Sequence, residues 1–449
     1  MTISPATILA GLAPFFESKR SPVKRYWIAY SGGLDSHVLL HALTRQRELL
    51  TGACLEAVHI NHALSPNAKQ WAEHCAQQCA RLRIPLHQIT VNARAGAGAS
   101  PEAAARAARY QALAELLQAG DCLLTAHHQD DQAETLLLQL LRGAGPKGLA
   151  AMPLVAAFAG GWHARPLLGV RRDEIQRYAQ QQQLAWIDDE SNFDTGFDRN
   201  FLRHDIMPRL MSRFPAVAQT LSRSAALCSE AAEILAETAT SDITAIKLSE
   251  QSLSATGLRK LGEVRGRNAL HHWIHACGLP VPSAAHLQRL WQDVVCSAVD
   301  SEPSVAWAGA QARRYRDQVF VSKPLSVVDV SQCFTWDGST VLNISGLGAL
   351  SLQAVSGQGI SAENLAGQKL EVRFRQGGER IQPAGRQGHH SLKKLFQEAG
   401  IPPWQRERIP LLYLGDELIA VAGLWIAQEV ACKKQQQGFL LVWSENNSV

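Results

Sequence analysis

Along the first two hundred residues, short apolar runs alternate with longer stretches of helical periodicity. The runs "YWIAY" (Tyr26 to Tyr30), "CLEAVHI" (Cys54 to Ile60), "LHQITV" (Leu86 to Val91) and "CLLTA" (Cys122 to Ala126) are rich in strand formers. Between them lie stretches such as "PEAAARAARYQALAELLQ", with Pro101 well suited to a first helical position. Strand and helix alternating at about thirty-residue spacing predict right-handed βαβ units and a parallel, doubly wound, Rossmann-like α/β sheet. Past about Pro215 the alternation stops. Alanine-rich helical stretches follow, "AVAQTLSRSAALCSEAAEILAE" and "AAHLQRLWQDVVCSAV", and strand-like segments return from "VAWAGAQARRYRDQVFVS" onward. The pattern predicts an α/β domain over residues 1–215, a mostly helical middle domain over 216–350 and a small α+β domain over 360–449.

The first predicted strand ends in "SGGLDS" (Ser31, Gly32, Gly33, Leu34, Asp35, Ser36). In a doubly wound sheet, ligands sit beyond the carboxyl ends of the strands. Gly32 and Gly33 allow close backbone approach to an anion, the following helix presents unpaired N–H groups, and the two serines add hydroxyls. A tight strand-to-helix turn would use the same glycines, but the set as a whole reads as a phosphate cradle. It lacks both the lysine of G-x-x-x-x-G-K-[ST] and the spacing of G-x-G-x-x-G. A carboxylate beside phosphates is repulsive without an intervening cation, so Asp35 is read as the residue on the Mg2+ side. S-G-G-x-D-S resembles the pyrophosphate loop of the enzymes that split ATP into AMP and pyrophosphate to adenylate a substrate.

Composition narrows the setting only mildly. The chain has 449 residues and a formal charge of +4, which permits a nucleic-acid partner without demanding one. Nine cysteines without regular spacing fit reduced thiols of a cytoplasmic protein better than a disulfide framework. Cys75 and Cys79, four apart, read as core residues of one helix face. Neither a secretory leader nor a membrane span is expected.

A second cluster, "LLTAHHQDDQAETLLLQLLRG", places His127, His128, Asp130, Asp131 and Glu134 where the fourth strand gives way to a helix. Three readings are open. Asp131 could cap the helix with Glu134 reaching back; two His and two Asp could ligate a dinuclear metal site; or the carboxylates could hold a cationic nucleophile. Arg106, Arg109 and Tyr110 share "EAAARAARYQAL", and "WIDDESNFDTGFDRNFLRHDIMPRL" carries Asp188, Asp189, Ser191, Asn192, Asp194, Arg199, Asn200 and Arg203. Near the C-terminus, residues 369–410 hold nine Lys or Arg against four Asp or Glu, with Phe396 and Trp404 among them, a pattern suited to phosphate-backbone contact.

Together with "RGAGPKGLAAM" (Arg142 to Met152), "RPLL" (Arg165 to Leu168) and the late G-G-E-R and L-K-K-L-F wording, these stretches resemble the tRNA(Ile)-lysidine synthases over essentially the whole chain. One departure is Ser65 in "NHALSP", where many members carry arginine, which leaves His59, Asn61 and His62 as weaker candidates for lining the nucleotide site. The resemblance implies a PP-loop, adenine nucleotide alpha hydrolase-like domain at 1–215 and tRNA-binding domains at 216–350 and 360–449. It implies that ATP adenylates carbon-2 of the wobble cytidine in the isoleucine tRNA with a CAU anticodon, and that free L-lysine then displaces AMP. On this reading Ser31 to Ser36 bind ATP and Asp35 binds Mg2+. Asp131 and Glu134 grip lysine with Asp130 in support. Arg106, Arg109, Arg199 and Arg203 meet the lysine carboxylate, the base or charge on AMP. Asp35, Asp131, Arg109 and Arg203 are the expected catalytic set. Competing readings are a PP-loop tRNA thiolation enzyme, which would call for paired cysteines absent here, a phosphohydrolase built on "HHQDD", and a non-catalytic ATP-binding RNA module. Oligomeric state has no signal in the sequence.

Overall fold

The computed structural model describes residues 23–445 apart from 46, 48, 49, 51, 63–66, 93–100, 189, 191–193, 299 and 300. Ser65, Asp189, Ser191 and Asn192 therefore lie outside the described residues. The chain divides into two compact units, Met1–Leu235 and Ala236–Val449.

In the first unit, β1 (Arg25–Ala29), β2 (Cys54–Asn61), β3 (Leu86–Thr90), β4 (Asp121–Leu124), β5 (Val155–Phe158) and β6 (Gly161–Ala164) form one sheet in the order β3-β2-β1-β4-β6-β5. All neighbours pair in parallel except the β5–β6 hairpin. The helices are α1 (Leu34–Thr44), α2 (Ala68–Leu82), α3 (Pro101–Leu116), α4 (Gln129–Leu141) and α5 (Arg172–Gln181). Alternation along β1 decides the layering. Ile28 joins Val38, Leu39, Cys75, Cys79, Ile175 and Ala179 in one core, while Trp27 joins Leu113, Leu117 and Leu123 in the core on the other side. The expected doubly wound sheet is thus present, and Cys75 and Cys79 are buried core residues. The hairpin β5–β6 was not expected.

The winding direction changes between β1 and β4, which lie side by side with Ile28 opposite Leu124. At such a switch point the two outgoing loops separate and leave a crevice. The loops are Ser31–Ser36 and Thr125–His128, the two stretches that carried the chemistry in the sequence. From α5 the chain passes through α6 (Asp198–Phe201), a π-helical turn (Leu202–Ile206) and α7 (Met207–Arg213) into α8 (Val217–Ile246). Pro208 has no N–H for the carbonyl of His204 and its ring would crowd that oxygen, which accounts for the widened turn.

The second unit holds two cores. Strands β7 (Lys247–Ser249), β8 (Ser252–Ser254), β9 (Ser304–Trp307), β10 (Ala310–Tyr315) and β11 (Gln318–Ser322) make a sheet ordered β7-β8-β11-β10-β9. It shares a core of Leu258, Leu270, Trp273, Trp291 and Val319 with α9 (Ala255–Leu261), α10 (Glu263–Ala276) and α11 (Ala284–Arg289). Gly266 permits the close approach, since a Cβ there would meet Trp291 at 2.3 Å. The last stretch is α+β: a five-stranded sheet (Cys333–Trp336, Leu370–Arg373, Leu411–Leu414, Glu417–Val421, Trp425–Ile426), a four-stranded one and α12 (Leu392–Glu398).

Two aromatic residues read from sequence as part of a surface are placed otherwise. Phe396 is fully buried with Leu392 and Leu395 on the core face of α12. Trp404 packs against Phe320 and Tyr315, at ring distances of 5.8 and 6.4 Å, beneath the guanidinium of Arg313. Their apolar area serves packing, because lone aromatic rings gain more from a core than from water.

Candidate active site at the switch point

The loop after β1 is hydrogen-bonded to itself. The Ser31 N–H donates to Ser36 Oγ at 3.2 Å, the Ser36 hydroxyl donates to the Gly33 carbonyl at 3.1 Å, and the Gly33 N–H donates to Ser31 Oγ at 3.3 Å. Gly32 has φ +85°, and a Cβ there would lie 3.0 Å from Cys75 Sγ and 3.2 Å from Ile187 Cδ1, so only glycine fits. Gly33 caps α1 without a side-chain bond, which leaves the first N–H groups of that helix open to an anion. Leu34 starts α1, and Asp35 follows in its first turn.

Opposite this loop stands an acidic network at the start of α4. His128 is the N-cap, and Asp131 reaches back to accept its backbone N–H at 3.0 Å. The cap thus exists one turn earlier than in the reading that made Asp131 the cap. The His128 ring is almost fully buried. Its Nε2 lies 3.4 Å from Asp131 Oδ2 and 3.7 Å from Asp35 Oδ2, and its Nδ1 lies 3.6 Å from Asp130 Oδ2. Burial opposes charge on this imidazole, but the three carboxylates outweigh burial and raise its pKa. Asp131 shows the converse: burial works against its charge, yet His128, Arg199, His127 and Arg203 hold its carboxyl well below the ordinary range. Asp130 is also held low, by His128 and by the Arg172 backbone N–H at 3.1 Å.

Glu134 is 2% exposed, and both its oxygens are taken. Arg203 Nε donates to Oε1 at 2.8 Å and Arg199 Nε to Oε2 at 3.0 Å, while Arg203 Nη2 also reaches Asp131 Oδ1 at 2.8 Å. Arg203 is raised above its already high pKa, since Glu134, Asp131 and Asp35 outweigh its burial. Asp35 differs from the others. Burial and the neighbouring Asp131 push its carboxyl above the ordinary range, and its Oδ1 is buried with no hydrogen-bond partner. Within ion-pair distance, four carboxylates face two guanidiniums and one imidazolium. Acidic groups outnumber basic ones there, which suits an incoming cation.

Beside the acidic network lies a second set whose hydrogen bonds fix its protons. Arg165 Nη2 meets His163 Nδ1 at 3.2 Å, and because a guanidinium only donates, Nδ1 accepts. His163 Nε2–H therefore donates to Thr125 Oγ1 at 2.8 Å, and the threonine hydroxyl donates to His127 Nδ1 at 2.8 Å. This logic assigns both rings as neutral Nε2–H tautomers. Burial and the nearby arginines agree, lowering the pKa of each to about 3. Arg106 and Arg109 hold their guanidiniums 5.0 and 5.4 Å from the ring centre of Tyr110 on α3.

The structure thus gathers Asp35, Asp130, Asp131, Glu134, Arg199 and Arg203 into one charge network, with Arg106 and Arg109 in the adjoining basic set. The sequence reading had Asp131 and Glu134 free to grip a substrate, whereas here arginines already occupy them. His128 was seen but given no task, and Thr125 and His163 were missed because neither stands in a recognisable spacing. Arg165 was flagged only as part of "RPLL". Asn200 Nδ2 donates to the Asp194 carbonyl at 2.8 Å, a local loop contact. Among the described residues, no group of three or more His, Cys, Asp or Glu side chains is arranged to hold a metal ion. No helix among them is long and apolar enough to cross a membrane.

Comparison with known proteins matches every part of this organisation. Residues 8–210 fit the family model of a PP-loop domain, 253–320 that of a TilS substrate binding domain and 370–443 that of a TilS substrate C-terminal domain. The tRNA(Ile)-lysidine synthase of Methylococcus capsulatus is 42% identical over 432 residues, covering 96% of this chain and 98% of that protein. Its counterpart in Coxiella burnetii is 43% identical over 415 residues, 92% of each chain. That of Alkalilimnicola ehrlichii is 40% identical over 452 residues, covering 99% of this chain and 98% of its own.

Proposed function

This chain belongs to the tRNA(Ile)-lysidine synthase family, and we propose from that premise how the switch-point crevice carries out the reaction. It is an ATP-dependent ligase that modifies tRNA. In the proposed reaction, ATP adenylates the carbonyl oxygen at carbon-2 of the wobble cytidine of the CAU-anticodon isoleucine tRNA. The side-chain amine of free L-lysine then displaces AMP, and pyrophosphate is the other product.

A pyrimidine carbonyl oxygen is a very poor leaving group, and its AMP ester leaves readily. Ser31 to Ser36 receive the departing pyrophosphate through backbone N–H groups and hydroxyls already ordered for an anion. The residues present fit Mg2+, since Asp35 offers a buried oxygen without a partner beside the loop; the ion would neutralise phosphate charge there. Lysine's amine has an ordinary pKa of ~10.4 and arrives as ammonium. Asp131 and Glu134, with Asp130, are the carboxylates to hold it, the ammonium sharing them with Arg199 and Arg203. The depressed pKa of Asp131 suits gripping a cation and makes it a poor proton acceptor. The stretches 216–350 and 360–449 are assigned to tRNA contact, supported by the substrate-domain matches within them. A cytoplasmic setting is supported by nine free cysteines.

The observation that carries the reading is His128, one buried ring within ion-pair reach of both Asp35 of the loop and Asp131 of the acidic network. It joins an AMP-forming cradle to a cation site. Purified protein given the CAU transcript, ATP and radiolabelled lysine should label the RNA. ATP consumption without label would favour a hydrolase or a binding module, and sulfur incorporation would favour a thiolation enzyme.

A further inference from the structure

The hydrogen-bonded chain through His163 and Thr125 starts at a fixed charge and ends at an open donor. Arg165 is anchored by Nη1, which donates to the Pro153 carbonyl at 2.8 Å. Its Nη2 meets His163 Nδ1, and the rings of Tyr110 and Phe158, each 5.9 Å away, hold that imidazole in place. Thr125 is tied down by its own backbone N–H, which donates to the Ala164 carbonyl at 3.1 Å. Every bond of the chain therefore points one way, from Arg165 through His163 and Thr125 to His127 Nδ1. At its end His127 is only half-buried, and its Nε2–H has no hydrogen-bond partner among the described residues. Packing alone does not ask for such a chain, since apolar side chains of the same shape would fill the space without desolvating polar groups.

We propose that Thr125 and His163 are positioning residues that lock His127 with its Nε2–H facing the crevice, and that this N–H donates to the oxygen leaving with AMP when the amine attacks the adenylated base. This rests on the proposed ligase reaction and adds a donor to its second step. In that step the amine lone pair forms the new C–N bond. The C–O bond to AMP breaks with its electron pair going to the phosphate oxygen, and the amine gives up a proton to water. His127 keeps its own proton throughout. The attacking nitrogen and the departing oxygen are bonded to one carbon in the transition state, so a donor beside the carboxylate that holds the amine is also beside the departing oxygen. His127 adjoins that carboxylate, since it interacts electrostatically with Asp131. A neutral ring suits the task. An imidazolium would compete with the incoming ammonium for Asp131, whereas a neutral ring fixed through its other nitrogen donates without reorganising. Burial and the charges of Arg165, Arg199 and Arg109 keep His127 neutral, with a pKa of about 3.

The two steps separate when the full chain first accumulates base-linked AMP on the CAU transcript without lysine and is then mixed rapidly with lysine. Thr125→Val keeps the shape and removes the hydroxyl. It should slow AMP release at saturating lysine about tenfold, while the rate of base adenylation and the half-saturating lysine concentration stay within about twofold. Thr125→Ser should restore release to within about twofold of the wild type. His163→Gln, whose amide can accept from Arg165 and donate to Thr125, should keep most of the rate that His163→Leu loses. Imidazole nitrogen NMR should show the proton on Nε2 of His127 in the wild type and a mixture of tautomers in Thr125→Val. Any of four results would overturn the proposal: a proton on Nδ1 of His127 in the wild type, wild-type release by Thr125→Val, equal slowing of both steps, or a serine variant as slow as the valine one. A change confined to the half-saturating lysine concentration would do the same, by moving the chain to amine binding. A wild-type protein that forms no base-linked AMP would instead remove the ligase reaction on which the proposal rests.

Discussion

Around α4, Arg199 and Arg203 donate to the carboxylates of Glu134 and Asp131. In the second unit, two more deeply buried arginines donate to neutral oxygens instead. Arg314, 1% exposed, reaches the carbonyls of Arg316 at 2.7 Å, Ser297 at 2.7 Å and Val295 at 3.2 Å. Arg406 reaches the Ile401 carbonyl at 2.8 Å and the Tyr315 hydroxyl at 3.0 Å. The difference separates two uses of one residue. A guanidinium on backbone carbonyls braces the fold, here by closing the C-terminal end of the π-helical turn Leu290–Val295. A guanidinium on a carboxylate holds a charge that another cation can share.

The comparison can be strained at several points. The largest effect is expected from Asp35→Asn, which should cut AMP-forming turnover on the order of 10³-fold. Because the folded protein disfavours charge on Asp35, its melting temperature should not fall; unchanged turnover would remove Asp35 from the mechanism. Arg203→Ala comes next, since it leaves the buried Glu134 short of a counter-ion, at a cost of about 3 kcal/mol in urea unfolding. Adding Glu134→Gln should recover part of that loss. Arg314→Met should cost about 2 kcal/mol through its orphaned carbonyls, with no carboxylate change able to rescue it and with ATP and lysine kinetics unaltered. If one carboxylate substitution rescued both arginines, the distinction between bracing and sharing would collapse.

Glu134→Gln alone should raise the KM for lysine about tenfold, the size of one charge-assisted bond, while shifting that for ATP much less. Equal shifts would place Glu134 outside the amine site. The gentlest test is pH. His127 and His163 are held neutral, with folded pKa values of about 3, below an unfolded value near 6.5. From pH 6.5 downward the unfolded chain takes up protons that the fold refuses, so these rings make stability fall with acidification towards about 3. His128 acts oppositely: its raised pKa gives stability that is complete below about 6.5 and lost as pH rises through the folded value. Imidazole nitrogen shifts in NMR should show His127 neutral at pH 5 and His128 still protonated.

What the sequence disclosed follows the range of the interactions. "SGGLDS" was legible because a strand, two glycines and a helix start are local signals. The shared face of Asp131 and Glu134 followed from helical spacing. Their pairing with Arg199 and Arg203 did not, because the partners lie more than sixty residues apart in the chain. The hairpin β5–β6 was missed because "VAAFAGGWHA" is short and alanine-rich, with little strand propensity to read. Leu392, Leu395 and Phe396 stand at core spacing, a signal that the charges interleaved with them obscure. Nothing local could reveal the proton order of His163, Thr125 and His127, which depends on two segments 38 residues apart meeting.

The widened turn at Leu202–Ile206 has an evolutionary corollary. A π-helical turn is one surplus residue accommodated within a helix, so everything beyond it is rotated relative to what came before. Arg199 lies ahead of that surplus and α7 beyond it. Sequence drift that adds or drops a residue after Arg203 can re-aim the downstream helix toward new partners while the hold of Arg199 and Arg203 on Glu134 is inherited intact.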